Sequence, residues 1–140
     1  MKKSLLLALA LAFLSGTAGH AGTPPALDSL TGHYELTDKK IDRAFSLDIT
    51  QTGSSASISF SAAMADGSGA APDGDGQGTV SPTGVLTFTF KDSFENEGTG
   101  TFEWKKDGYH LHLTVTKVVE PRPLRFYGNL LLKRLSNKAQ

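Results

Sequence analysis

The sequence predicts an all-β domain, an eight-stranded antiparallel up-and-down barrel. Three observations lead there. Apolar and polar residues alternate in one segment after another, and no stretch beyond the first thirty residues keeps a helical period for three turns. Short connections bearing glycine also take turns with longer ones. A period of two buries one face of a strand and wets the other, which is how antiparallel sheet reads.

The first strand, 32–37, opens at Gly32-His33-Tyr34. In the second, 44–50, Phe45, Leu47 and Ile49 alternate with Ser46, Asp48 and Thr50. The third, 55–61, sets Ala56, Ile58 and Phe60 against serines, and the fourth, 77–81, is short and carries glycine. Leu86, Phe88 and Phe90 define the fifth, 85–91, and the sixth is 98–104. The seventh, 109–117, places Tyr109, Leu111, Leu113 and Val115 opposite His110, His112, Thr114 and Thr116. The eighth, 124–134, puts Leu124, Phe126, Gly128, Leu130 and Leu132 on one face, while Tyr127 and Leu131 make its other face partly apolar. That second face invites cover from the chain's own lead-in or from a partner.

Gln51–Ser54, Ser81–Gly84 and Lys105–Gly108 have the length and glycine content of tight hairpins. The remaining connections, 38–43, 62–76, 92–97 and 118–123, are longer. In a meander, alternate connections fall at opposite ends, so the long ones gather on one rim. Closure removes exposed edges and favours the barrel. A two-layer β-sandwich is the alternative, and it would scatter these loops.

The start of the chain reads as a signal peptide. Met1-Lys2-Lys3 is basic, Leu5–Leu14 is apolar, and small residues end at Gly19-His20-Ala21, so 1–21 is expected to be cut off after Ala21. Ala18 is the second choice of cut site. The apolar run spans only about half of a membrane, and no cysteine follows it for lipid attachment. Export to the periplasm or beyond is therefore expected, without a stable membrane anchor. Residues 22–29 form an extended lead-in, 30–135 the barrel and 136–140 a tail. Losing Lys2 and Lys3 leaves 12 basic against 14 acidic residues, a net charge of −2. No basic patch for nucleic acid stands out. The absence of cysteine excludes disulfides, thiolate metal sites and a cysteine nucleophile.

Gly32-x-Tyr34 near the start, Lys133-Arg134 near the end and the strand count together resemble the lipocalin-like (calycin) barrels. In that family a Gly-x-Trp lies under a basic residue from the end of the chain. The resemblance implies that Tyr34 closes one end with Arg134 or Lys133 over its ring, a cation–π contact. Tyrosine stands here in place of tryptophan. Some exported inhibitors of lysozyme, also small β-barrels, carry Ser-Gly-x-x-Tyr on a loop. Ser68-Gly69-Ala70-Ala71 is followed instead by Pro72, so the residues do not support that identity.

The long connections with their flanks hold Lys39, Lys40, Arg43, Lys91 and Arg122 against nine acids. These acids are Asp38, Asp42, Asp66, Asp73, Asp75, Asp92, Glu95, Glu97 and Glu120. Their net is −4, while the rest of the mature chain is +2. An acidic rim favours a cationic partner. The expected contact set is Asp66, Asp73, Asp75, Asp92, Phe94, Glu95 and Glu97, with Phe94 either an anchor or a plug over the barrel mouth. Asp73-x-Asp75 among glycines offers calcium two carboxylates, but no bidentate acid ends the loop. A plain glycine-rich loop is the other reading. His110 and His112 sit two apart on one strand face, with His33 as a possible third ligand, but Leu111 and Leu113 take the inner face, so both histidines are expected to point to solvent. No Gly-x-Ser-x-Gly elbow or phosphate loop is present, so no catalytic set and no cofactor are expected.

Two functions follow as expectations. One is a non-enzymatic exported binding protein, an inhibitor or accessory factor, that engages an envelope or extracellular protein by its acidic rim. The other is a carrier holding a small apolar ligand inside the barrel, against Phe45, Phe60, Phe88, Phe90 and Phe102.

Overall fold

The computed structural model describes residues 29–38, 40 and 42–140. The expected signal peptide, both expected cut sites and the lead-in up to residue 28 lie outside the described residues. The rest is an all-β closed barrel. Its strands are β1 (Gly32–Leu36), β2 (Arg43–Thr52), β3 (Ser55–Met64) and β4 (Asp73–Val80), then β5 (Leu86–Asp92), β6 (Glu97–Lys105), β7 (Gly108–Lys117) and β8 (Gly128–Ser136). Each pairs antiparallel with its neighbours in sequence, and β8 returns to β1.

The closing seam is short. Tyr34 lies opposite Arg134 and Leu36 opposite Leu132, with one register shift between His33 and Tyr34. All three tight connections hold a glycine at positive φ, Gly53 at 62°, Gly84 at 86° and Gly108 at 136°, where a Cβ would be strained. The meander places these turns on one rim and the long connectors on the other.

Alternation delivers the core as expected. Phe45, Leu47 and Ile49 of β2, Ile58 and Phe60 of β3, Leu86, Phe88 and Phe90 of β5, and Leu111 and Leu113 of β7 are all buried. β4 carries glycine on its inner face instead, and β6 carries Gly98 and Gly100 before Phe102. These glycines seat the large rings: a Cβ on Gly74 would collide with the Phe60 ring, and one on Gly100 with the Phe88 ring. The aromatic side chains thus take the room that two strands leave free, and interior packing tolerates little excess volume.

Two connections differ from expectation. β3 runs on to Met64 and β4 begins at Asp73, so the long 62–76 loop shrinks to residues 65–72. Phe60 opposite Gly74 and Ser61 opposite Asp73 show why: the glycine-rich run pairs fully once large rings cover it. The segment 124–127 is no strand either. Pro121 and Pro123 lack backbone donors, and Arg122–Phe126 winds into a short 3-10 helix before β8 begins at Gly128. Phe126 is fully buried from that helix.

Candidate functional site

The expected contact residues divide between the long-connector rim and the barrel wall. Asp73 and Asp75 are exposed on β4, not on a loop, and Asp73 accepts a hydrogen bond of 2.6 Å from Ser61 Oγ. Asp75 lies opposite Lys91. Asp66 is exposed in the 65–72 loop, where Ser68 donates its N–H to the carboxylate and holds that carboxyl below its ordinary pKa range. Glu95 pairs with Lys91, and Glu120 with Arg122. Among the described residues, no three His, Asp or Glu side chains come together as a metal cluster.

Asp92 is the exception on the rim, because it is buried. Its Oδ1 accepts the N–H groups of Phe94 and Asn96 at 2.8 and 3.0 Å. Its Oδ2 accepts from Asn96 Nδ2 at 2.9 Å and from the Tyr127 hydroxyl at 2.6 Å. Burial first, and then the Asp92 carboxylate, push the Tyr127 phenol well above its ordinary pKa. This carboxylate has its acceptor sites filled from within, so it serves the loop and not a partner. Its bonds hold the 93–96 turn so firmly that Glu95 adopts a φ of 69°, rare for a residue with a Cβ.

Asn96 extends the same network to the next connector. It is fully buried, and its Oδ1 accepts the N–H groups of Val119 and Glu120 at 2.8 and 2.9 Å. Its Nδ2 also donates to the Glu120 carbonyl at 2.9 Å. The clamp fixes the 118–121 connector beside the 93–96 turn. Val118 and Val119 consequently stand 52 and 56% exposed on an otherwise polar rim. Phe94 is half-buried in the adjoining turn. Sequence reading missed the two valines because it treated 118–123 as spacing. The Val-Val pair outside any alternating pattern was the signal available.

The rim is less acidic than its sequence suggested. Arg125 falls in the 3-10 helix at this end, and counting it brings the net from −4 to −3. Arg43 donates to the Arg125 carbonyl, which ties the first and last connectors together.

No family model, no curated protein and no solved structure matches this chain. Its function must be argued from its own geometry.

The five phenylalanines of the interior reading do meet inside the barrel. Phe45 stacks on Phe60 with centroids 5.5 Å apart, Phe60 meets Phe90 edge-on at 5.4 Å, and Phe88 lies 6.4 Å from Phe90. Phe102 packs edge-on against Tyr34 at 4.8 Å. With the glycines of β4 and β6 beside them, these rings pack against one another in the interior. The histidines stay apart in role: His33 bonds Asp48 and Glu35, His110 bonds Asp107, and His112 bonds Asn129.

At the tight-turn end, Tyr34 is fully buried and Arg134 lies over its ring, 5.3 Å from the centroid. Lys133 points outward. Above them, Tyr109 and Trp104 border a depression of about 680 Å³ between the 53–54 and 81–84 turns.

Proposed function

We propose that the chain is an exported, non-enzymatic binding protein of the lipocalin-like barrel type, which engages a cationic envelope or extracellular protein through its long-connector rim. The observation that carries this reading is the Asn96 clamp. A buried side chain is committed to holding the connector that carries two exposed valines, next to a turn bearing Glu95 and the first residue of β6, Glu97. Exposed apolar residues ringed by charge are the anatomy of a contact surface: a desolvated centre supplies affinity, and the charged border steers approach. Phe94, half-buried at the border, adds an aromatic neighbour to that centre. Asp92 drops out of the contact set because it is consumed by the clamp. The carrier reading finds little to favour it, since Phe45, Phe60, Phe88, Phe90 and Phe102 occupy the room a ligand would need.

The test is a pull-down from envelope extract with the wild type, with Val118→Ser/Val119→Ser, and with Glu95→Gln/Glu97→Gln. A specific partner is expected to be retained by the wild type and lost from the valine variant. The acid variant should retain it weakly, and added salt should weaken the wild-type complex. Equal recovery of every protein by all three would refute the rim as a binding surface.

A further inference from the structure

We propose a second binding site at the opposite mouth, the tight-turn end, which takes a neutral glycan. It is independent of the rim and shares no residue with it.

Trp104 continues the inward-facing series of β6 past the last core ring, Phe102, and emerges over the mouth with 61% of its surface exposed. It is the sole tryptophan of the chain. Its ring leans toward Tyr109 at 5.2 Å and 50°, which makes an angled aromatic wall. The wall has a rigid backing. Tyr109 stacks on Phe102 at 5.3 Å and 7°, meets Tyr34 edge-on at 4.9 Å, and has the Arg134 guanidinium 5.4 Å from its ring. Leu30, Val80 and Pro82 complete the apolar lining of the same depression of about 680 Å³. Little needs to be ordered when a ligand arrives, and such preorganisation favours affinity.

The chemistry of the ligand follows from what is satisfied and what is not. The charges near the site are committed: Arg134 donates to the Tyr34 hydroxyl and the Ser29 carbonyl, and Glu103 pairs with Lys105. Among the residues that line the depression, an ionic ligand therefore meets no unpaired charge. The described residues give Trp104 Nε1 and the Tyr109 hydroxyl no hydrogen-bond partner, while the Ser54 hydroxyl and the mutually bonded Ser81 and Thr83 hydroxyls also line the depression. The site offers flat apolar faces bordered by neutral donors and acceptors. A sugar ring matches both, with a C–H face to lie on the aromatic wall and hydroxyls at its edge. The depression is open to solvent on one side, which suits a chain of several rings.

The single tryptophan makes the test direct. Trp104 emission should change saturably on titration with at least one of cellotetraose, chitotetraose and maltotetraose. Calorimetry on Trp104→Phe should find that sugar bound roughly tenfold more weakly, while Val118→Ser/Val119→Ser binds it as the wild type does. No saturable response to any of the three sugars would overturn the proposal, as would unchanged affinity in Trp104→Phe. Saturable binding of benzyl alcohol without any sugar response would overturn it as well, by identifying a purely apolar pocket.

Discussion

Arg134 donates to the Tyr34 hydroxyl twice, from Nε at 3.0 Å and from Nη2 at 2.7 Å, and so joins the last strand to the first. The same hydroxyl donates to the Leu30 carbonyl at 2.6 Å. One phenol thus satisfies an arginine and a backbone acceptor at the seam. Tyr34→Phe should lower unfolding free energy by about 1–3 kcal/mol, the usual effect of stranding buried polar partners. Urea denaturation of the two proteins checks it. An unchanged midpoint would mean that water replaces the hydroxyl there.

Alkaline pH should weaken the fold. Burial pushes the Tyr34 pKa from 10.0 to about 12, against the opposing pull of Arg134. A group whose folded pKa is raised lends stability that is complete below its unfolded value and fades as pH climbs through the folded one. The contribution is therefore present below about pH 10 and lost toward pH 12, and Tyr127 acts in the same sense. Thermal melts across this range should fall steeply for the wild type and less steeply for Tyr34→Phe.

His33 acts in the same direction in a lower pH window. Burial lowers its pKa, but hydrogen bonds and charge from Asp48 and Glu35 outweigh that and leave it raised above 6.5. Its share of stability is full below pH 6.5 and declines as pH rises through the folded value. His33→Gln should flatten the stability profile in that window. A histidine titration by NMR should place the His33 midpoint above the ordinary imidazole value of 6.5.

Asn96→Ala removes the acceptor for Val119 and Glu120 and leaves a buried carbonyl and carboxylate each short of a donor. A loss of about 2–4 kcal/mol is expected. Hydrogen exchange at 119 and 120 should quicken more than exchange in the strands. Protection that stays uniform would show the connector to be held by something other than this amide.

Glycine-to-alanine changes should separate two mechanisms. Gly100→Ala drives a methyl into the Phe88 ring, with an overpacking effect of about 1–3 kcal/mol or more. Gly53→Ala meets no atom but must hold a positive φ, costing about 1 kcal/mol. A double change to Gly100→Ala with Phe88→Leu should recover part of the first loss and none of the second.

Much of this architecture was legible in the order of residues. Leu86-Thr87-Phe88-Thr89-Phe90 can only be a strand with one buried face, and glycines in three connections marked the tight rim. Failures came where local pattern yields to long-range contact. Asp73 through Gly76 reads as a loop because glycine carries no signal of burial; the Phe60 ring over Gly74 explains why it pairs. Arg122–Phe126 keeps an apolar alternation that two prolines override. Asp92 looked like a surface acid because sequence cannot show four donors converging on it. Trp104 was visible only as the end of a strand, and its exposure depends on where the barrel stops.

The seam between β1 and β8 also governs when the domain can be finished. These strands lie at the two extremes of the described chain, so a polypeptide that has not yet delivered β8 offers seven strands with both margins bare. Completion waits for the last residues to arrive. Loss of the final nine-residue strand should therefore leave no smaller barrel behind, only an open sheet seeking another backbone.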